Sequence, residues 1–590
     1  MKRIVFFIAI TFGLASCDSF LTVHPKDDVA EEAFLKTEKD LEIYANGFIQ
    51  RYLPSSDNTA FADQYTDYVA SRNSTDFLKG DTWTPEDQGG WGAGASGKWA
   101  QLRDANWFLD RLDRAKDNIS EDIYNHYKGV GRFWRAYFYY DMVRTFGDVP
   151  WYDHELDKDE VDELYKGRDS REFVMEKVLE DLNFASTYCS SDARFVNSST
   201  RINRWVALAF KSRVCLFEGT YRKYHTDLNL TGSANKFLEE SINASEILMN
   251  ESPYELETGG AVDTRYRSLF NGGDLNQKEI ILGLAYKTDL RMHNVTWKMF
   301  SASYGNSWSL TKQFVNQYLM RDGSRFTDQP NWVTMSYSEE FKNRDYRLQQ
   351  TVISPEYTRK VAGVEQKVSP NFTMNLTGYQ IIKWAIDDEI HIGLTTSANS
   401  LSLLRYAEVL LNYAEAKAEL GQMTNEIWNK TIRALRERAG VNGSVPSDFD
   451  PYLADYYLNQ TSDKWILEIR RERGVELAFE QVRYDDLMRW KMGKLLEIPW
   501  KGVYVDQLDK GYDLNGDGVV DFKVSNTSAS SATVIKLDNM FQLTQGNKGN
   551  VVYGQHLGRL WLDKKYLRPI PTTAIQVNPN LLPQNPGWDK

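Results

Sequence analysis

The chain has 590 residues, 42% hydrophobic and 26% charged, a balance that fits a globular body with a sizeable core. Its formal charge of −12 leaves no basic excess to neutralise phosphates, which argues against nucleic acid as a partner. Past the first residues, no stretch approaches the ~18 uninterrupted apolar residues of a membrane-spanning helix.

Met1-Lys2-Arg3 is a short basic head, and residues 4–14 (IVFFIAITFGL) are apolar apart from Thr11. That run is too short to span a bilayer and reads as a secretory signal peptide. Small residues follow it, and Leu14-Ala15-Ser16-Cys17 resembles the lipobox of bacterial lipoproteins. The resemblance implies removal of residues 1–16 and acylation of Cys17, palmitate being one such chain. Several acyl chains, at about 0.8 kcal/mol per buried CH2, anchor stably where one would not. The alternative is an ordinary signal peptide with a chance cysteine.

Residues 18–30 read as a tether, and from about residue 32 apolar residues recur at helical spacing to residue 53. Residues 53–98 are rich in Ser, Asp, Asn, Gly and Thr and predict a long loop carrying Trp83 and Trp91. Helical patterns then come in pairs: 99–115 with 121–147, 170–188 with 203–224, then 235–251. Residues 252–400 are irregular, with a short strand over 279–286. Helical patterns resume at 403–421, 425–440 and 465–491, and Gly421 and Gly440 stand where helix caps belong. A last irregular stretch begins near residue 500. The spacing predicts a mostly α, TPR-like scaffold of helix pairs with few short strands. It forms one domain over 17–590, with loop insertions near 53–98, 252–400 and 500–560. Cys215 lies on an apolar helical face, which favours a buried free thiol. Cys189 lies in a loop-like stretch, and a 189–215 disulfide stays open for an exported chain. Neither resembles a nucleophile.

Within the last insertion, GYDLNGDGVVDFKV (511–524) places Asp513, Asn515 and Asp517 at positions 1, 3 and 5 of an EF-hand-type loop. Gly518 follows at 6, the Val519 carbonyl at 7 and Asp521 at 9. Val524 replaces the bidentate glutamate at position 12. The pattern predicts a structural Ca2+ site whose shell is completed by water or another carboxylate.

Several blocks resemble the SusD/RagB family of Bacteroidetes outer-membrane lipoproteins. They are the Cys17 start, FWRAYFYYDMVRTFGDVPW (133–151), NRDYRL (343–348) and LLRYAEVLLNYAEAKAELG (403–421). EIRRERGVELAFEQVRYDDLMRW and YLRPIPTTAIQVNPNLLPQNPGW (566–588) complete the set. The resemblance implies a TPR-containing scaffold with irregular insertions. It implies a lipid-anchored outer-membrane protein facing the exterior, a lid on a SusC-like TonB-dependent transporter. Such a protein captures glycans, or in some members peptides, and passes them to the barrel; it is a binder and not an enzyme.

Sugar rings offer apolar C–H faces to aromatic rings and hydroxyls to Asn, Asp and Arg. Loop aromatics are the candidates, because aromatics on helix faces usually belong to cores. Three loop regions qualify. The first holds Arg72, Asn73, Asp76, Asp81, Trp83 and Trp91; the second Trp297, Tyr304, Asn306 and Trp308; the third Asn331, Trp332 and Tyr337. Family members build their ligand platform from these parts of the chain, a match of region only. Trp99, Trp107, Trp134 and Trp490 lie in helical blocks and are assigned to packing. The alternative from another class is a surface glycoside hydrolase, with a structural adhesin below it. RRERGVELAFE (470–480) sets carboxylates at helical spacing, but Arg and Glu three or four residues apart more often pair to support a helix. A glycosidase needs two carboxyls facing each other across a sugar.

Overall fold

The computed structural model describes residues 34–86, 90–92 and 97–589. The leader and Cys17 lie outside the described residues. Among the described residues, nine longer helices carry the scaffold. They are α1 (Glu38–Tyr52), α2 (Lys98–Arg111), α3 (Glu121–Phe146), α4 (Arg171–Tyr188), α5 (Arg204–Tyr224) and α6 (Ala234–Glu251). Then come α7 (Tyr406–Glu419), α8 (425–438, with a π turn over Asn429–Arg433) and α9 (Lys464–Glu476). Each of α2 to α6 packs on the next, and α7 packs on α6, α8 and α9, giving a layered stack of helix pairs. Local chemistry sets the starts: Thr37 and Asp40 form a capping box at α1, and Ser120, Ser170 and Asn203 cap α3, α4 and α5. Gly421 and Gly440 adopt the left-handed conformation (φ +69° and +71°) that ends α7 and α8.

The strands are short. They are β1 (Val69–Ala70), β2 (Ile280–Leu284), β3 (Ser309–Leu310), β4 (Thr358–Val361), β5 (Val364–Lys367) and β6 (Leu401–Arg405). From the last insertion come β7 (Trp500–Val505), β8 (Lys523–Ser525), β9 (Val534–Lys536), β10 (Phe541–Leu543) and β11 (Gly549–Tyr553). Pairs β1–β3, β2–β6 and β4–β5 are antiparallel, β8–β9 is parallel, and β10–β11–β7 form a three-stranded antiparallel sheet. The start of the predicted helix 403–421 is therefore strand: Leu403 to Arg405 complete β6, and the helix begins at Tyr406.

One apolar cluster joins α1 to α5 with residues as distant as Ile570 and Leu581. A second gathers the insertions around Tyr68, Trp308, Phe314, Trp384 and Val503. Trp134 and Trp490 are fully buried, while Trp99 and Trp107 pack half-buried on the first cluster, as their helical positions predict. Cys189 and Cys215 are both free and buried, and burial pushes each thiol well above its ordinary range.

The predicted helix 465–491 is broken. It stops at Glu476 and resumes over Arg483–Arg489, which is α10, with Phe479 and Gln481 at positive φ (62° and 70°). Tertiary donors take the carbonyls that a continuing helix would use. Tyr266 and Arg405 donate to the Glu476 carbonyl at 2.6 and 2.8 Å. Lys383 donates to that of Ala478 at 2.7 Å, and Trp384 to that of Phe479 at 3.1 Å. Four buried bonds outweigh the helical preference of the sequence between them.

Candidate ligand-binding site

Pairing of β1 with β3 (Val69 opposite Leu310, Ala70 opposite Ser309) draws the first candidate loop against the second. The seam continues past the strands. The Arg72 backbone N–H donates to the Asn306 carbonyl at 2.8 Å, and the Asn73 N–H to Asn306 Oδ1 at 3.2 Å. Asn306 and the Trp308 indole N–H both donate to Gln64 Oε1, at 3.5 and 2.9 Å. The Arg72 guanidinium donates to the Ala302 carbonyl, Ser307 Oγ and the Thr373 carbonyl at 3.0, 2.9 and 3.1 Å. It ties three segments together, so Arg72 positions the seam rather than reaching outward. Asn73, by contrast, is exposed.

Beside this polar seam, Trp297 and Tyr304 stand ring against ring, with centroids 4.3 Å apart and planes 35° apart. Tyr304 is 65% exposed and Trp297 half-buried, so the pair presents an aromatic surface to solvent. The turn that carries Tyr304 is fixed: its N–H donates to Ser301 Oγ at 3.0 Å, and Gly305 N–H to the Ser301 carbonyl at 3.1 Å. A Cβ at Gly305 would collide with the Lys298 carbonyl, so only glycine closes this turn. Exposed rings next to convergent amides suit a ligand with apolar faces and hydroxyl edges.

Of the residues predicted to contact ligand, the seam therefore unites Arg72, Asn73, Trp297, Tyr304, Asn306 and Trp308. Trp308 serves as its floor: it is buried, stacked on Phe61 at 3.7 Å and 10°. Trp91 is buried against Trp99 and Phe146 and is a core residue, because the loop folds back onto the helical stack. Trp83 packs edge-on to Phe77 at 5.4 Å in a separate cluster. Asp76 and Asp81 are exposed and pair with Lys79 and Lys564 at 2.9 and 2.6 Å. Tyr337 is buried, its hydroxyl donating to the Ile353 carbonyl. Asn331, at φ +60°, is the exposed corner of the turn before Trp332. Trp332 belongs to another cleft, edge-on to Tyr452 at 5.8 Å. Gln64 has no signal in the sequence that could have singled it out; only the fold gives it two partners.

A sequence model of the SusD family matches residues 278–588, and a second, described as starch-binding and associating with the outer membrane, matches residues 19–216. The chain belongs to the SusD family. Among its relatives is SusD-like protein P38 of Formosa agariphila, 25% identical over 541 residues, covering 86% of this chain and 94% of that one. SusD-like protein P2 of the same organism is 25% identical over 622 aligned positions, covering both chains completely. A SusD-like protein of Bacteroides fragilis superposes with a TM-score of 0.69 at 22% identity, over 96% of this chain and 100% of that one. A SusD-like carbohydrate binding protein from the same organism gives 0.68 at 21% identity, over 93% and 100%. The mostly α scaffold with irregular insertions is thus the SusD-like fold.

In this SusD-family chain the Arg- and Glu-rich block 470–480 is the centre of a buried ion network. Glu476 accepts from Arg347 and Arg405 at 2.7 and 2.6 Å and also pairs with Arg438. Glu472 pairs with Arg347 and Arg436 at 2.6 and 2.8 Å, and Glu480 with Lys383 and Arg405, both at 2.6 Å. The main partners are remote in sequence, so these groups bind α9 to the rest of the fold rather than stiffen it internally. All are buried, and each carboxylate is engaged by two or more cations, which leaves none of them facing a substrate-sized gap. Burial alone would raise the Glu476 pKa, but Arg438, Arg405 and Arg347 together hold it well below the ordinary range. Against the same burial, Arg471 and Arg436 pull Glu468 from about 4.5 down to about 2. Such depressed carboxylates contribute stability that is complete above pH ~4.5 and is lost as pH falls toward ~2. The midpoint of urea unfolding should therefore hold from pH 7 to 5 and drop steeply by pH 3. An unchanged midpoint at pH 3 would contradict this reading.

The acidic loop of this family member is wound by its own backbone. Asp513 accepts from the Gly516 and Gly518 N–H groups at 2.6 and 2.8 Å, and these bonds, the one from Gly518 foremost against slight desolvation, lower its pKa. Asp517 accepts from Val519 N–H at 2.8 Å, and Asp521 from Leu514 N–H at 2.6 Å. Val524, at position 12, is buried in the β8–β9 pair. The donors are hard oxygens of the kind calcium takes. Among the described residues, however, no three His, Cys, Asp or Glu side chains converge as a metal site.

Proposed function

We propose that this chain is a cell-surface glycan-binding subunit that captures oligo- or polysaccharide and delivers it to a SusC-like TonB-dependent transporter. The observation that carries the reading is the exposed Trp297–Tyr304 ring pair beside the Asn73–Asn306 amides. Family membership supports it, as do the starch-binding, outer-membrane description of the matching N-terminal model and the carbohydrate-binding title of one solved relative. Lipid anchorage through Cys17 on the outer face, and binding without catalysis, belong to the same proposal. No helix among the described residues is long and apolar enough to cross a membrane, so the proposal places attachment at the lipid. Its test is native affinity electrophoresis of the chain lacking residues 1–17 through a panel of soluble polysaccharides. Retardation by one of them supports the reading; retardation by none, with capture of a peptide library instead, replaces glycan by peptide.

Calcium binding by Asp513, Asn515, Asp517, the Val519 carbonyl and Asp521 is proposed from the spacing of these oxygen donors. The ion would pin the β7–β8 connection. Isothermal calorimetry with Ca2+ should give heat with the unaltered chain and none with Asp513→Ala; equal heats would sink the site.

A further inference from the structure

A second surface shares no residue with the seam. The short helix Val161–Leu164 and the C-terminal segment 572–588 meet side by side. Asn580 Nδ2 donates to the Tyr165 carbonyl at 2.7 Å, and Asn578 Nδ2 to that of Lys166 at 2.9 Å. The Arg168 guanidinium donates to Asn585 Oδ1 at 2.8 Å. Both segments turn apolar side chains to solvent: Val577 is 69% exposed, and Val161, Leu164, Tyr165 and Leu582 are exposed beside it. A groove of about 290 Å³ lies between them, with Trp99, Pro150, Tyr152, Leu164, Val577 and Leu581 in its walls. A contiguous apolar patch with a polar border marks a contact surface for another molecule. The groove is at the lower limit of small-molecule sites, roughly 300–1,000 Å³. It suits one or two anchoring side chains of a protein partner.

The border is acidic on one side. Residues 153–163 carry seven carboxylates against one lysine and one histidine. Arg103 and Arg111 take Glu155 at 3.0 and 2.7 Å, and Lys166 takes Glu163 at 3.3 Å. Asp157 and Asp162 are exposed and form no ion pair among the described residues. Segment 572–588, on the other side, has no charged residue to offset them. Charge then sorts the occupants. A second copy of this chain carries −12, and a symmetric contact would set the acidic rim against itself. Leader residues 18–33 carry five acids against one lysine, so they are repelled as well. A phosphate-bearing lipid surface meets the same rim. The rim is complemented by a segment that combines apolar anchors with Lys or Arg.

We infer that this groove docks a cationic, apolar segment of a protein partner. One or two large apolar side chains sit against Leu164 and Val577, and lysines or arginines face Asp157 and Asp162. The docking surface uses none of the seam residues, so it stands or falls apart from the glycan reading.

The test is fluorescence anisotropy of short labelled peptides with the chain lacking residues 1–17. The first peptide alternates Lys with Leu and Phe; a second has Glu in place of Lys, and a third Ser in place of Leu and Phe. Two variants are compared, Leu164→Ser with Val577→Ser, and Asp157→Asn with Asp162→Asn. All four positions are exposed, so the unfolding midpoint should not move. Should the first variant unfold early, Val577→Ser alone takes its place. The unaltered chain should bind the first peptide and neither of the others. Each variant should weaken that binding at least tenfold, and so should about 1 M salt, which screens exposed charges beyond about 3 Å. Absence of binding to the first peptide would overturn the docking surface. Binding that ignores both variants, or equal binding of the serine peptide, would do the same. Sedimentation showing self-association of the unaltered chain, abolished by Leu164→Ser with Val577→Ser, would replace the partner by a second copy and overturn it too.

Discussion

Replacing Glu476 with alanine should cost about 3–5 kcal/mol of folding stability, the penalty of leaving buried charge without its partner. Its carboxylate is fully buried and is shared by Arg347, Arg405 and Arg438. Arg405 and Arg438 also hold Glu279 at 2.8 and 3.1 Å, and Arg405 holds Glu480. Removing one carboxylate therefore leaves three buried guanidiniums a partner short, each still held by another carboxylate but none with a route to water. Glu476→Gln keeps the shape and loses the charge, so it should fall between alanine and the unaltered chain. Arg405→Ala should be comparably severe, and the double variant should cost less than the sum of the singles, because the two side chains are direct partners. Denaturant unfolding monitored by tryptophan fluorescence measures all four chains. A Glu476→Ala midpoint equal to that of the unaltered chain would show that the network is not what joins α9 to the scaffold.

The joint replacement Trp297→Ala and Tyr304→Ala should weaken glycan retardation by roughly thirtyfold, about 2 kcal/mol, as expected when the anchoring aromatics of an interface are removed. It should do so at little cost to the fold, since Tyr304 is 65% exposed and, among the described residues, Trp297 is the one ring it meets. Trp308→Ala makes the contrasting control. Trp308 is stacked on Phe61 and bonded to Gln64, so its loss should cost about 3–5 kcal/mol of stability whatever it does to binding. Full retardation of the double variant through a polysaccharide that retards the unaltered chain would move the glycan site away from the seam.

The helical half of the fold was legible because its signals are local. Apolar periodicity, Ser and Asn caps and the glycines after α7 and α8 all act within a turn or two of the chain. The exceptions are where distant groups intervene. Residues 477–482 have helical composition, yet Tyr266, Lys383, Trp384 and Arg405 take the carbonyls of Glu476, Ala478 and Phe479 and open the helix. The candidate site was legible by residue type and region, and less so by role. Trp91 and Tyr304 both stand in polar, loop-like sequence, but one is buried under the returning chain and the other projects from a turn. Nothing local separates them.

By itself the sequence determined the helix pairs, their caps, the order of the family blocks and the oxygen-rich spacing at 513–521. Each of these is specified by residues close together along the chain, or by runs long enough to be recognised. The tertiary structure alone decided which loop aromatics reach solvent, that Arg72 is a clamp and that Glu476 has three partners. Those properties depend on contacts such as Asn73 with Asn306, which are 233 residues apart. Burial and pairing are set by what the folded chain brings alongside a residue, and no spacing within the sequence encodes that.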